Sequence, residues 1–177
     1  MIQTEKQKKL DTKTMALAAV FTALTYVFTA FINIRLPITA NGGLIHLGNI
    51  PLFIGAIVFG SSVGAISGGF GMALFDLLSG WTVWAPFTLV IVALMGYSVG
   101  KIAGRTYSMS RIVIAIIAAG FIKVAGYYAA EVILYGSFVA PLTSIPGNIL
   151  QISAAAVIVI PIAPLLKKAA AGILYTT

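Results

Sequence analysis

An all-α membrane protein, a six-transmembrane-helix bundle with N and C termini cytoplasmic, is the fold class this sequence predicts. Three observations lead there. Apolar residues make up 60% of the chain and charged residues only 8%, with a mean hydropathy of +1.05, whereas soluble domains carry about 25% charge. The apolar runs are long and rich in Ala and Gly, without the period-two alternation of a transmembrane strand. The basic residues gather at three places that six crossings would bring to one side of a membrane.

The elements follow in order. A span needs about 20 mostly apolar residues, fewer where neighbours shield it. Six segments qualify, at about 14–33, 48–60, 62–80, 85–104, 110–135 and 146–168. They make one integral membrane domain of 1–177, with a basic cytoplasmic tail at 1–13. The first segment has an apolar core longer than the roughly 7–15 residues of a secretory signal, and more spans follow, so it is read as retained. Segments two and three are short, and FGSSVG (59–64) is a tight turn between them. The longest connections, 34–47 and 136–145, both fall on the outer side.

Lys6, Lys8, Lys9 and Lys13 precede the first span; Lys101, Arg105 and Arg111 flank the turn between the fourth and fifth; Lys167 and Lys168 close the last. The net charge of +7 therefore tracks span ends, as the positive-inside rule requires of a cytoplasmic face. This explains the basic balance without a nucleic-acid partner.

Several chemistries are excluded. With no cysteine, thiol catalysis and thiolate metal sites are absent. GSSVG (60–64) has the spacing of a serine nucleophile elbow. The single histidine, His46, belongs to the outer end of a span and Ser62 to the inner turn, roughly 20 Å away. GAISGGFG (64–71) lacks the lysine and hydroxyl of a phosphate loop. No metal-ligand cluster and no cofactor motif is present, and the chain is read as no enzyme.

What remains is polar and gathers on one side. At 1.5 Å of rise per residue, Asp76 falls in the outer half of its span, Glu131 near an outer end and Lys123 near the middle. Asn49, Trp84, Asn148 and Gln151 fall in first outer turns, and Arg35 and His46 bracket the first outer loop. Lys123, Tyr127 and Glu131 are spaced four apart and share one helix face, as do Asn148 and Gln151, three apart. A charge near a bilayer centre costs about 2.5–3.5 kcal/mol on insertion scales, so these groups face a cavity or a structural partner. A Lys123–Glu131 or Lys123–Asp76 pair that fixes helix register is the alternative to a ligand site.

Pro51, Pro86 and Pro146 stand in or near the first turns of the helices that begin outside, whose free amides and positive dipole ends favour hydroxyl or anionic oxygens. Among the rim aromatics, Trp81 and Tyr135 fit an interfacial belt, while Trp84 and Tyr127 share turns or faces with polar groups and suit ring stacking. Glycines 64, 68 and 71, and 96, 100 and 104, suit close packing of two helices. Ala16, Ala19 and Ala23 form a small-residue strip on the first span, for internal packing or for a partner helix.

Six short spans, the basic tail, the Ala19-x-x-x-Ala23 strip and the block HLGNIPLFIGAIVFGSSVGAISGGFGMALFDLLSGWTVWAPFTLVIVALMGYSVGK (46–101) together resemble an S component of energy-coupling factor transporters, over roughly 14–168. The similarity is to the branch of riboflavin, hydroxymethylpyrimidine and pyridoxine carriers. It implies a substrate-capturing subunit of an ATP-driven vitamin importer in the bacterial plasma membrane. A membrane coupling subunit and two cytoplasmic ATPases would be its partners. The resemblance implies that Ala19 and Ala23 contact the coupling subunit and that loops 34–47 and 136–145 gate a pocket on spans four to six. The expected binding residues are Glu131, Asn148, Gln151, Tyr127, Trp84, Lys123, Asp76, Asn49 and His46, with Ala16, Ala19 and Ala23 for the partner. One carboxylate, one lysine, two amides and several rings suit a small heteroaromatic vitamin, hydroxymethylpyrimidine or pyridoxine. The alternative is a stand-alone ion-coupled carrier or channel using Asp76, Lys123 and Glu131 as a relay.

Overall fold

Helices stand at all six expected segments. The computed structural model describes residues 11–35, 44–104 and 108–174. Lys6, Lys8, Lys9, Arg105 and positions 36–43 of the first connection lie outside the described residues. The chain runs α1 (Thr12–Phe31), β1 (Asn33–Arg35), β2 (Leu44–His46), α2 (Asn49–Phe59), α3 (Ser61–Leu78), α4 (Ala85–Ala103) and α5 (Met109–Tyr135). A 3-10 turn (Ala140–Ser144) then leads into α6 (Ile145–Leu174). All except α2 are long and apolar enough to cross a membrane.

Local chemistry sets the ends. Asp11 caps α1 by accepting the Thr14 amide at 3.0 Å, and Ser108 caps α5 through the Arg111 amide. Between α2 and α3 there is one residue, Gly60, whose φ of 101° is open to glycine at little cost. The tight turn expected at FGSSVG is therefore as short as a turn can be. The sixth helix continues through Pro161 and Pro164 and ends at Leu174, past its expected end at 168.

Two features depart from the sequence expectation. The connection between α1 and α2 is not plain loop: Asn33–Arg35 pairs antiparallel with Leu44–His46, and the Leu47 amide closes onto the Ile32 carbonyl at 3.1 Å. The second departure is α2. Its 11 residues rise only about 16 Å, against a hydrocarbon core of about 30 Å. Its C-terminal turn lies deep, because Ser61 abuts Gly100 near the end of α4, so its N-terminus is recessed inside the bundle. A methyl on Gly48 would touch Met72, a turn below Asp76, which fixes that depth. Eight of the eleven α2 residues, Asn49 among them, are buried.

The glycine-rich faces pack internally. Gly64 and Gly96 bring the backbones of α3 and α4 together so closely that a Cβ on either would collide with the other's carbonyl, and Gly100 rides on Ser61. Around this seam Leu52, Phe53, Val92, Met95 and Val99 are fully buried. The described basic residues of the span ends share one end of the bundle. There Arg111 Nε donates to the Ile102 carbonyl at 2.8 Å and Lys167 donates to the Gly104 carbonyl, bonding the last carbonyls of α4. On α1 the buried face carries Ala18, Thr25 and Thr29, whereas Ala16, Ala19 and Ala23 are exposed. Packing inside the bundle is thus not the use of that strip.

Candidate functional site

At the end opposite the basic one, a recessed α2 leaves a hollow that the ends of α3 to α6 surround. It is a cavity of about 90 Å³ lined by Leu44, Asp76, Trp81, Trp84, Thr88, Lys123, Tyr127, Ser144, Asn148 and Gln151. Each arrives by a simple route. Asp76 sits in the last turns of α3, Thr88 in the first turn of α4, and Trp81 and Trp84 in the connection between them. Lys123 and Tyr127 are one turn apart on the inward face of α5, whose other face exposes Ile117, Phe121 and Ile133. Asn148 and Gln151 come from the start of α6, and Leu44 from the hairpin above.

The side chains form a connected polar wall. Lys123 is 1% exposed, with its Nζ 5.1 Å from the centroid of the Tyr127 ring. At that range a cation is held by the ring face. The Asp76 carboxylate and the His46 imidazole are its charged and titratable neighbours. Tyr127 Oη donates to Thr88 Oγ1 at 3.1 Å, and the Thr88 hydroxyl lies against the Asp76 carboxylate. Trp84 meets Tyr127 at a centroid distance of 6.4 Å and Tyr135, edge-on, at 6.2 Å. The aromatic side of the hollow is therefore braced before any ligand arrives.

Some acceptors in this wall have no protein partner. Asp76 Oδ2 and Gln151 Oε1 are buried and unpartnered, although Gln151 Nε2 donates to the Leu44 carbonyl at 2.7 Å. A buried polar atom left unpaired costs about 1–3 kcal/mol. Two such atoms stand at one cavity, each with the capacity to accept a hydrogen bond.

Of the nine residues expected here, six line the cavity: Asp76, Trp84, Lys123, Tyr127, Asn148 and Gln151. Glu131, Asn49 and His46 do not line it. Glu131 is buried one turn beyond Tyr127, where its charge reaches the Tyr127 and Tyr135 hydroxyls. Asn49, carried down by the short α2, is fully buried with neither amide atom partnered. His46 is buried in the hairpin, where its Nδ1 accepts the Gly48 amide at 3.3 Å. Burial, with the Lys123 charge second, lowers its pKa well below the ordinary imidazole value, so the ring stays neutral. Four lining residues were not anticipated. Trp81 belongs to the cavity and not only to a belt. Thr88, Ser144 and Leu44 carry no distinctive residue type; their only sequence signal is proximity to a helix start or a strand end on the same side.

A multi-pass helical membrane protein with a polar, aromatic-walled hollow at an end of its bundle is the class that this fold and cavity define. The model of the ECF-type riboflavin transporter S component matches residues 9–168, and the chain belongs to that family. Such S components work with a module of membrane and ATPase subunits, so this is a transporter subunit in place of an enzyme. Among curated relatives, the thiamine precursor transporter HmpT of Lactococcus lactis subsp. cremoris is 28% identical over 157 residues, 88% of this chain and 89% of the relative. An uncharacterized protein of Pyrococcus woesei is 38% identical over 103 residues, 58% of this chain and 69% of the relative.

Proposed function

We propose that this chain, as one integral membrane domain of a cell membrane, is the substrate-binding subunit of an energy-coupling factor importer for a single-ring vitamin, hydroxymethylpyrimidine before pyridoxine. The carrying observation is the size and chemistry of the cavity. Pockets for drug-sized ligands run to about 300–1,000 Å³, and this one is about 90 Å³. A tricyclic flavin with its ribityl arm is several times larger than one substituted pyrimidine. The ring would stack beside Trp84 and Tyr127. Its amino and hydroxymethyl donors would meet Asp76 Oδ2 and Gln151 Oε1, and a ring nitrogen would accept from Lys123. The similarity to HmpT supports the same substrate class.

In this reading the cavity faces outward, since the basic end is the cytoplasmic one, and both termini are cytoplasmic with six crossings. Glu131, Asn49 and His46 support the wall from behind. The exposed Ala16, Ala19 and Ala23 meet the coupling subunit, and the ATPases of the module supply the energy.

Calorimetry of the purified protein against hydroxymethylpyrimidine, pyridoxine and riboflavin tests this. Submicromolar binding of a one-ring vitamin, with riboflavin at least a hundredfold weaker, is expected. Tight riboflavin binding, or no binder in the panel, would overturn it.

A further inference from the structure

Threonines inside membrane helices commonly spend their hydroxyl on their own backbone. Thr22 and Thr29 of α1 do so, each donating to the carbonyl four residues back at 2.7 Å. Thr88, buried in the first turn of α4, turns its hydroxyl to side chains of two other helices instead. Tyr127 Oη on α5 donates to it at 3.1 Å, and the Asp76 carboxylate of α3 lies against it. A threonine hydroxyl carries one proton. With Tyr127 as donor, that proton is left for another acceptor, and Asp76 is the acceptor at hand. The order Tyr127 to Thr88 to Asp76 is held from its far end, because the Tyr127 ring is braced by Trp84 at 6.4 Å and by the Lys123 ammonium at 5.1 Å. The branched Thr88 side chain has few rotamers to escape into.

What this relay opposes is a collapse. Asp76 and Lys123 both line the cavity and their charges attract, strongly so in a low-dielectric interior. A carboxylate free to turn would close on the ammonium and withdraw both an acceptor and a donor from any solute. Instead Asp76 Oδ2 is buried with no hydrogen-bond partner. Keeping it so costs free energy that a ligand donor recovers.

We propose that Thr88 is a positioning residue of the binding site: it holds the Asp76 carboxylate as an acceptor for the solute, and so makes the cavity select an amino-bearing pyrimidine edge over the corresponding oxo edge. The inference rests on the vitamin reading above and sharpens it. An aminopyrimidine presents an N–H beside a ring nitrogen, a donor next to an acceptor, which matches a carboxylate near an ammonium. The oxo analogue carries a carbonyl beside a ring N–H, the reverse order, and sets an oxygen against Asp76. Turning the ring over restores that match only by moving the hydroxymethyl arm away from Gln151.

Calorimetry of the purified full-length protein tests the proposal, with hydroxymethylpyrimidine and the analogue in which an oxo group replaces its amino group. Wild type should prefer the amino compound by about fiftyfold, the worth of one hydrogen bond to a charged group. Thr88→Val should weaken binding of the amino compound about tenfold and leave the oxo compound within about twofold, so most of the preference goes. Thr88→Ser, which restores the hydroxyl, should recover it, and Thr88→Ala repeats the loss without the branch. Because Thr88 itself lines the cavity, Thr88→Val is also placed on Asp76→Asn, where a residue acting through the carboxylate changes affinity less than about twofold. Thermal melts report that each variant is folded. Undiminished preference in Thr88→Val and Thr88→Ala, no recovery in Thr88→Ser, or a further loss of about tenfold on the Asp76→Asn background would overturn the positioning role while the vitamin reading stands. Binding of neither pyrimidine by the wild type would sink both.

Discussion

Gln151 Nε2 on α6 donates to the backbone carbonyl of Leu44 at 2.7 Å, tying the β1–β2 hairpin to a helix more than a hundred residues further along. The same side chain leaves its Oε1 unpartnered beside the cavity, so one amide both anchors the cover and offers an acceptor. Gln151→Leu should therefore weaken vitamin binding twice over, by about 1–3 kcal/mol for the lost bonds, or roughly 5- to 150-fold in Kd. Calorimetry checks the affinity, and faster dissociation should account for most of it. Unchanged affinity would remove Gln151 from the site.

Lys123 and Asp76 separate ligand binding from register. Lys123→Met removes the buried cation whose charge reaches the Asp76 carboxylate and should lower the Tm of the bundle. Adding Asp76→Asn should restore much of the lost Tm without restoring binding. A double variant that binds normally would make the charges purely structural.

The seam between α3 and α4 has no room for a side chain. Gly96→Ala drives a methyl into the Gly64 carbonyl, and overpacking of this kind costs about 1–3 kcal/mol. A lower Tm in detergent is expected, with vitamin affinity little changed in the folded fraction because the cavity lies at the other end of α4. The neighbouring exposed position Val90→Ala should change neither.

Ala19→Trp and Ala23→Trp alter an exposed face of α1. Vitamin affinity should stay within twofold of wild type, while copurification with the membrane coupling subunit falls at least tenfold. Normal assembly of both variants would move the partner surface elsewhere. The protein alone in liposomes should bind its vitamin without net uptake.

His46 is buried neutral, its pKa lowered from 6.5 mainly by desolvation. The unfolded chain takes up a proton below about pH 6.5 that the folded chain refuses. Stability should therefore fall as pH drops below that value and be flat in pH above it, as far as this residue is concerned. Thermal melts at pH 5 and 7.5 should show the loss, and His46→Gln, which keeps an acceptor for the Gly48 amide, should flatten it.

The helices were legible because burial in lipid imposes long apolar runs, and the turn at Gly60 acts locally; the caps Asp11 and Ser108 came only with the structure. One end of the bundle was legible as polar for the same reason: a charge such as Lys123 inside such a run has to point inward, and its neighbours at four-residue spacing follow it. Sequence alone also named Asn148 and Gln151, since two amides in the first turns of a helix stand out against Ile and Ala.

Tertiary structure decided the rest. The depth of Asn49 depends on how far down α2 is docked, which is set by contacts of Ala56 with Gly64 and of Ser61 with Gly100 and not by any residue near Asn49. Thr88, Ser144 and Leu44 joined the cavity because three chain segments happen to converge there, and hydroxyl or leucine side chains carry no signal of that in one dimension. The exposure of the alanine strip follows from how α1 is rotated against α2 and α3. Hydrophobic periodicity could not fix that rotation, because in a membrane the lipid-facing and protein-facing sides of a helix are both apolar.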